Sequence, residues 1–244
     1  MKAMILAAGL GTRLKPLTDT MPKALAPLRG KPMLEHLLLK LKAAGFEEIV
    51  VNIHHLGQQI IDFLKANHHF GLSIHISDER DRLLDTGGGI KQAAGFLQGE
   101  EPFLVHNVDI LSDVDLAAFY RNCPKEALAT LLVDERNSAR CLLFDEDRRL
   151  CGWQNKETGE TRSFYPDFSP EKYTSYTFGG VHVVSPRIFA LMDEWSGRFS
   201  IIDLYLSLCI SEPVFACHIP GGATLMDIGK PESLAKAELL LHLQ

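Results

Sequence analysis

The sequence has no apolar run long enough to cross a membrane and no excess of positive charge. Its five cysteines are odd in number and scattered, and no Cys-x-x-Cys pair occurs, so neither a disulfide framework nor a zinc site is expected. The net charge of −6 argues against a broad nucleic-acid-binding face. We therefore expect a cytoplasmic protein with no membrane segment and no nucleic-acid partner.

Three common signatures of nucleotide or covalent chemistry are also missing. The glycine-rich segment near the N-terminus lacks the third glycine of the dinucleotide fingerprint, since Leu14 occupies that position. It also lacks the Gly-Lys-Ser/Thr ending of a Walker A loop. No Gly-x-Ser-x-Gly occurs, so a serine nucleophile is not indicated.

What is present is an alternation of strand and helix patterns in an ordinary globular composition, with 46% hydrophobic residues among 244. In the first half, the periodicity predicts strands at 2–6, 49–53, 72–76 and 103–105 and helices at 33–44, 58–66 and 89–97. In the second half, it predicts strands at 127–133 and 176–184, a hairpin from 141–144 and 149–153, and helices at 201–209 and 232–243. Such alternation favours a parallel sheet between helices, with ligands at the carboxyl ends of its strands.

The most informative segment is the glycine-rich loop that follows the first strand. Small residues let the backbone pass close to a bulky anion, and exposed N–H groups can hold phosphate oxygens. Arg13 and Lys23 add the positive charge that a triphosphate needs. The loop residues expected at the nucleotide are Ala8, Gly9, Gly11 and Thr12. The alternative is a structural turn with solvated charges.

The full string Gly-x-Gly-Thr-Arg-x-x-Pro-Leu, followed by Pro-Lys, resembles the sugar-nucleotide pyrophosphorylases. These nucleotidyltransferases join a nucleoside triphosphate to a sugar 1-phosphate. The resemblance implies an α/β fold of three layers (α/β/α), Rossmann-like, with a mixed, mostly parallel central sheet. No hexapeptide repeat is present, so no C-terminal β-helix is expected. We expect one domain over 1–244, with a nucleotide-binding half (1–135) and a sugar-phosphate-binding half (136–244).

The resemblance also implies roles for charged residues. Arg13 and Lys23 would be catalytic. Asp109, at the carboxyl end of a buried strand, and Asp227, in Asp-Ile-Gly-Lys-Pro before the last helix, would bind Mg²⁺, because the family's metal ligands occupy similar settings. Val108 departs from the glycine that many relatives have before the first of these aspartates. The alternative is that both aspartates only cap turns.

A second glycine-rich segment, Asp85-Thr86-Gly87-Gly88-Gly89, is predicted to form a turn that opens a helix. The family reads its nucleobase in this region, so Gly87 and Gly88 are candidates for contacts with the base. Glu79 is a candidate polar partner. The alternative is a helix start in which the glycines only allow a tight turn.

The resemblance places the sugar phosphate on the second half. The candidates there are Asn155, Lys156 and Gly180, and Asn107 in the first half is a further candidate for binding the substrate. A glycine within a strand often marks a bulge, and a lysine in a hairpin is often only solvated, so these alternatives stay open for Gly180 and Lys156.

The short chain and its motifs are most similar to N-acetylmuramate-1-phosphate uridylyltransferases of cell-wall recycling, which implies UTP and N-acetylmuramate 1-phosphate as substrates. A mannose-1-phosphate guanylyltransferase is the alternative within the family. An inactive nucleotide-sugar sensor is an alternative of another class. A glycosyltransferase would hold a metal with an Asp-x-Asp pair, but Asp113-Val114-Asp115 is more typical of a helix cap. The oligomeric state is left open.

Overall fold

The computed structural model describes residues 1–136 and 138–240. Its strands are β1 (Lys2–Leu6), β2 (Pro27–Leu28), β3 (Lys31–Pro32), β4 (Glu48–Ile53), β5 (Ser73–Asp78), β6 (Phe103–Asn107), β7 (Ile110–Ser112), β8 (Ala129–Asp134), β9 (Arg140–Phe144), β10 (Leu150–Asn155), β11 (Thr161–Arg162), β12 (Thr174–Val184), β13 (Val214–His218) and β14 (Leu225–Asp227). Its α-helices are α1 (Met33–Ala43), α2 (Gly57–Ala66), α3 (Asp85–Gln92), α4 (Ala94–Leu97), α5 (Leu116–Arg121), α6 (Ile201–Leu208) and α7 (Pro231–Leu240). Among the helices of these residues, none is both long and apolar enough to span a bilayer.

Two apolar clusters cover opposite faces of the central sheet, because successive side chains of a strand point to opposite sides. Met4 of β1 packs in one cluster with Ile90 of α3 and Leu204 of α6. Its neighbour Ile5 packs in the other with Leu38 of α1. Burial on both faces explains why these strands are continuous apolar runs. The expected three-layer α/β/α arrangement is confirmed.

The first half of the sheet is parallel, in the order β5-β4-β1-β6. At the carboxyl end of β1, Leu6 lies opposite Asn52 of β4 on one side and Asn107 of β6 on the other. Polar side chains from two neighbouring strands therefore flank the point where the glycine-rich loop begins.

The second half continues the same sheet with mostly antiparallel pairs. The long strand β12 pairs with β6, β8 and β9, and the β9–β10 hairpin extends the sheet to β11. Among the strands described in this half, only β13 and β8 pair in parallel. The pairing of β12 with β8 shifts register between Phe178 and His182, and Gly180 within this interval has a left-handed φ of 73°. The bulge that a glycine in this strand indicates is present.

A separate two-stranded sheet brings the end of the chain to the middle of the fold. β14 pairs with β7 so that Asp227 lies opposite Ile110. The Ile228 N–H donates to the Asp109 carbonyl at 2.9 Å. Asp109, which directly precedes β7, and Asp227, the last residue of β14, are thus held close together although more than a hundred residues separate them.

The predicted hairpin and the remaining strands and helices are confirmed for the described residues, with ends shifted by a few positions. The turn predicted at Gly87 and Gly88 was wrong, because both glycines lie inside α3, which starts at Asp85 rather than at Gly89. A Cβ on Gly87 would overlap the Phe199 ring, and one on Gly88 would lie 2.5 Å from the Gly197 carbonyl. The glycines let α3 pack closely against this segment, and this packing outweighs their low helix propensity.

Candidate active site

The glycine-rich loop after β1 is held by a buried polar network. The Asn52 side-chain carbonyl accepts hydrogen bonds from the Ala7 and Ala8 N–H groups at 2.6 and 3.2 Å. The Asn52 amide donates to Glu79 at 2.7 Å, and the other Glu79 oxygen accepts from the Leu84 N–H at 3.1 Å. The network therefore fixes the start of the loop through the ends of two neighbouring strands.

Glu79 and Asn52 are each only 2% exposed. Burial raises the pKa of Glu79, while the hydrogen bonds from Asn52 and Leu84 oppose this shift. A Cβ on Gly89 would lie 2.7 Å from a Glu79 oxygen and 2.9 Å from the Asn52 amide. The third glycine of the Thr-Gly-Gly-Gly segment thus leaves room for the network. Sequence analysis missed Asn52, although a polar residue in the run Ile-Val-Val-Asn-Ile is a signal for it.

Four charged side chains, which we call the charge cluster, meet beside this loop: Arg13, Lys23, Asp109 and Asp227. Lys23 forms an ion pair with Asp109. The Arg13 guanidinium bridges the two carboxylates, with its nitrogens 3.6 Å from Asp109 and 3.3 Å from Asp227. The structure therefore brings together all four residues that sequence analysis expected to carry the chemistry.

Two glycines leave the space that the four side chains of the charge cluster need to come together. Gly11 has a left-handed φ of 65°, and a Cβ there would lie 2.8 Å from Thr18 and 3.0 Å from the Lys23 Cβ. A Cβ on Gly229 would lie 2.6–2.8 Å from the Lys23 ammonium, an Asp109 oxygen and the Arg13 guanidinium. The backbone at Gly229 thus lies directly against the charge cluster, a role that sequence analysis did not assign.

Asp227 is held in its ionised form. Burial raises its pKa, but the Gly229 N–H, which donates at 2.8 Å, and the positive charge of Arg13 outweigh burial and lower the pKa below its usual range. Two carboxylates bridged by one guanidinium are a donor set that suits Mg²⁺, which takes one or two protein carboxylates and completes its shell with phosphate and water oxygens. The described residues contain no group of three or more His, Cys, Asp or Glu side chains placed to hold a metal.

A cavity of about 240 Å³ opens at the carboxyl ends of β1 and β6. Residues expected at the nucleotide or the sugar phosphate line it: Ala8, Gly9, Lys23, Glu79, Asn107 and Asp109. A Cβ on Gly9 would meet no atom within 4 Å, so the loop leaves open space beside its backbone. Asp85, Thr86 and Arg198 complete the rim, and Arg198 lies 3.8 Å from Asp85.

Other expected residues lie apart from this cavity. Gly87 and Gly88 do not line it, since they pack against the segment that contains Phe199. Thr12 is exposed at the start of a short 3-10 helix, Thr12–Leu14. A Cβ on Gly180 would lie 2.9 Å from the Asn107 amide, so this glycine makes room for Asn107. Their contacts with a nucleotide or sugar stay predictions.

A second, larger groove of about 720 Å³ lies on the second half. Its wall is one face of the β9-β10-β11 sheet, where Asn155 lies opposite Arg140 and Trp153 lies opposite Leu142 and Arg162. Arg136 at the end of β8 also lines the groove, and Asp85 lines both the groove and the cavity. Sequence analysis missed these arginines.

Lys156 follows Asn155 but does not line the groove. Its ammonium donates to the Ser175 hydroxyl at 3.0 Å. Adjacent residues at a strand end face opposite sides of a sheet, so Asn155 can line the groove while Lys156 cannot. Its expected contact with the sugar phosphate stays a prediction, and the geometry of the hairpin does not favour it.

Comparisons with known proteins agree with this geometry. The nucleotidyl transferase family model matches residues 2–243. The chain is 34% identical to the N-acetylmuramate alpha-1-phosphate uridylyltransferase of Caulobacter vibrioides, over 98% of this chain and 96% of that protein. It is 50% identical to the protein of the same name from Neisseria meningitidis serogroup B, over 78% of this chain and 77% of that protein. It is 28% identical to the D-glycero-alpha-D-manno-heptose 1-phosphate guanylyltransferase of Campylobacter jejuni, over 95% and 96% of the two chains.

Solved structures share the fold. HddC from Yersinia pseudotuberculosis complexed with GMP-PN superposes with a TM-score of 0.76 at 24% identity, over 98% of this chain and 99% of that chain. The inositol-1-phosphate CTP transferase from T. maritima superposes with a TM-score of 0.77 at 18% identity, over 99% and 94%. The family match spans nearly the whole chain, and the charge cluster lies where the loop meets the cavity. The chain therefore belongs to the nucleotidyl transferase family and is a sugar-1-phosphate nucleotidyltransferase.

Proposed function

We propose that this protein joins UTP to N-acetylmuramate 1-phosphate, giving the uridine diphosphate sugar and pyrophosphate. The observation that carries the reaction is the convergence of Arg13, Lys23, Asp109 and Asp227 at the mouth of the cavity. Two relatives with this activity in their names match at 34% and 50% identity, which supports the choice of base and sugar.

In this reaction, an oxygen of the sugar phosphate attacks the α-phosphorus of the nucleotide in line. The bond from that phosphorus to the bridging oxygen breaks, and pyrophosphate leaves with the electron pair. Little covalent chemistry is required of the protein, so positioning and charge stabilisation dominate. The cavity, with its open backbone at Gly9, offers the triphosphate a site beside the cations.

Each member of the charge cluster has a role in this proposal. Arg13, whose side chain is about half-exposed beside the two aspartates, stabilises the leaving pyrophosphate. Lys23, whose side chain is only 11% exposed, acts at the α-phosphate. Asp109 and Asp227 would hold Mg²⁺, which when bound offsets negative charge on the phosphates. The buried Asn52–Glu79 network keeps the loop in position before substrate arrives.

The alternatives from sequence analysis differ in base and sugar or in catalysis. A guanylyltransferase would prefer GTP and mannose 1-phosphate, and a sensor would bind nucleotide without turnover. The charge cluster argues against a sensor, since binding alone does not require two carboxylates beside the phosphates. The five free cysteines fit the reducing cytoplasm, where the proposed reaction takes place.

The test is pyrophosphate release with Mg²⁺ across UTP, GTP, dTTP and CTP, each combined with a panel of sugar 1-phosphates. We expect the highest kcat/KM for UTP with N-acetylmuramate 1-phosphate, and loss of turnover in Asp109→Asn and in EDTA. A preference for GTP with mannose 1-phosphate would overturn the proposed substrates but not the reaction. Nucleotide binding without turnover in any combination would favour the sensor.

A further inference from the structure

The groove on the β9-β10-β11 face has its own positive charges, distinct from those of the charge cluster. Three arginines line it: Arg136, Arg140 and Arg162. Alternation along the strands places Arg140 and Asn155 side by side on this face, with Trp153 next along β10. The groove meets the catalytic cavity at Asp85, which lines both.

Two of these arginines already have partners. Arg162 forms an ion pair with Asp203 at 2.6 Å and lies over the Trp153 ring, 4.0 Å from its centre. Arg136 lies 3.4 Å from Asp134 and donates to the Phe178 carbonyl at 3.1 Å. The Arg140 guanidinium has no ion pair or hydrogen bond with any of the described residues. Arg140 is therefore the cation of this groove whose charge is left for a ligand.

The position of the groove indicates which part of a substrate Arg140 faces. The sugar phosphate must reach the α-phosphate beside Lys23 and Asp109, which line the smaller cavity and not the groove. A sugar whose phosphate lies there extends its ring past Asp85 into the groove. Arg140 then faces substituents of the ring rather than the reacting phosphate.

We propose that Arg140 is a specificity-determining residue that binds a carboxylate substituent of the sugar ring. This inference rests on the proposed function, because N-acetylmuramate differs from N-acetylglucosamine by a lactyl ether that ends in a carboxylate. The guanidinium fork can donate two parallel hydrogen bonds to a carboxylate, which a lysine cannot do. Arg162 and Trp153, locked against each other, form the rigid wall along which the ring packs.

The test compares two substrates that differ only in this ether: N-acetylmuramate 1-phosphate and N-acetylglucosamine 1-phosphate, each with UTP. In Arg140→Gln, we expect kcat/KM for the muramate substrate to fall about 10- to 100-fold, the usual range for losing a hydrogen-bonded charge pair. The value for the glucosamine substrate should stay within about 3-fold, since it has no group for Arg140 to bind. Arg140→Lys should recover part of the preference for the muramate substrate, because lysine restores the positive charge but cannot donate two parallel hydrogen bonds.

Arg148→Gln is the matched control, since Arg148 lies in the turn of the same hairpin, outside both the cavity and the groove. It should leave both kcat/KM values unchanged. The melting temperature of Arg140→Gln should match that of the wild type, because Arg140 is exposed and its side chain has no partner among the described residues.

An equal loss for both substrates would overturn the inference, since Arg140 would then bind a group that they share, such as the phosphate. An unchanged preference would overturn it as well. The wild type separates these results from failure of the proposed function. If the wild type uses neither substrate with UTP, the proposed substrates are wrong and the inference falls with them. If it uses both equally well, the carboxylate is not recognised.

Discussion

The two candidate ligand-binding regions of this molecule, the cavity and the groove, are built differently. In the cavity, Lys23 is paired with Asp109, and Arg13 is paired with both aspartates. In the groove, by contrast, Arg140 has no partner among the described residues. The cavity also rests on a buried network of polar side chains, whereas the charged side chains of β9 and β11 that line the groove, Arg140 and Arg162, are exposed.

The difference indicates which part of the site is fixed in advance and which part the substrate completes. Chemistry on phosphates requires groups held in place before binding, because misplacement costs rate. Discrimination between sugars requires a charged side chain that is left without a partner when the bound sugar lacks the complementary group. Substitutions in the cavity should therefore reduce turnover of every substrate, and substitutions in the groove should change the preference among sugars.

The largest effect should come from the charge cluster. Arg13→Ala removes the cation that contacts both aspartates, and we expect kcat for pyrophosphate release to fall about 10³- to 10⁵-fold for every sugar phosphate. Arg187→Ala, which removes a cation paired with Glu212, should leave kcat unchanged. If Arg13→Ala retained a tenth of the activity or more, Arg13 would not be the group that stabilises the leaving pyrophosphate.

The next largest effect should come from disrupting the buried Asn52–Glu79 network. Asn52→Ala leaves the Ala7 and Ala8 N–H groups and the Glu79 carboxylate without their partner, which should cost about 3 kcal/mol of unfolding free energy. Urea denaturation measures this loss. Asn67→Ala, at an exposed side chain bonded to the Phe63 carbonyl, should cost well under half as much. Equal losses would show that the network does not support the loop.

A smaller effect, confined to turnover, is expected for Gly229→Ala. The added methyl group displaces the flexible ends of Lys23 and Arg13, so kcat should fall about 100-fold while the melting temperature stays near that of the wild type. Gly221→Ala is the matched control, because a Cβ there meets no atom within 4 Å. Unchanged kcat in Gly229→Ala would mean that the charge cluster tolerates displacement.

The smallest effect concerns His182, which lies where the two halves of the sheet meet through the pairing of β6 with β12. Burial lowers the pKa of His182 to about 3, and its ring accepts or donates a hydrogen bond with the Tyr205 hydroxyl at 2.9 Å. The unfolded chain, with an ordinary histidine pKa near 6.5, binds this proton more readily than the folded one. Stability should therefore fall as the pH drops below about 6.5, by about 2 kcal/mol at pH 5 for this residue.

Urea denaturation at pH 7.5 and pH 5 measures this change, and His182→Gln should make the two values differ by about 2 kcal/mol less. His75→Gln, at a half-exposed position on β5, should leave the difference as it is in the wild type. An unaltered difference in His182→Gln would show that another group causes the acid sensitivity.

The fold and the charge cluster could be predicted because their signals are local. Arg13 and Lys23 belong to one string of residues, and Asp109 follows a predicted strand of the central sheet. Asp227 is assigned to the same site from the family motif alone, because the pattern does not predict the pairing of β14 with β7. The helix at Gly87 could not be predicted from propensity, because the packing of α3 against Phe199 decides it.

The network and the groove could not be predicted because they depend on pairing between distant strands. Asn52 meets Glu79 only through the order β1-β4-β5, and Arg140 shares a face with Asn155 only through the register of the hairpin. A shift of one residue would turn these side chains to the opposite face. Because successive side chains along a strand point to opposite faces of the sheet, Asn155 and Lys156 lie on different faces although they are adjacent in the sequence.

The charge cluster has a consequence for the order in which ligands bind. Its two cations and two carboxylates cancel, so a triphosphate that draws Arg13 and Lys23 to itself leaves two like-charged carboxylates facing it. A divalent cation arriving alone meets two positive side chains. When both arrive together, the divalent cation offsets part of the triphosphate charge, so nucleotide and metal should each tighten the binding of the other, by the same factor in both directions.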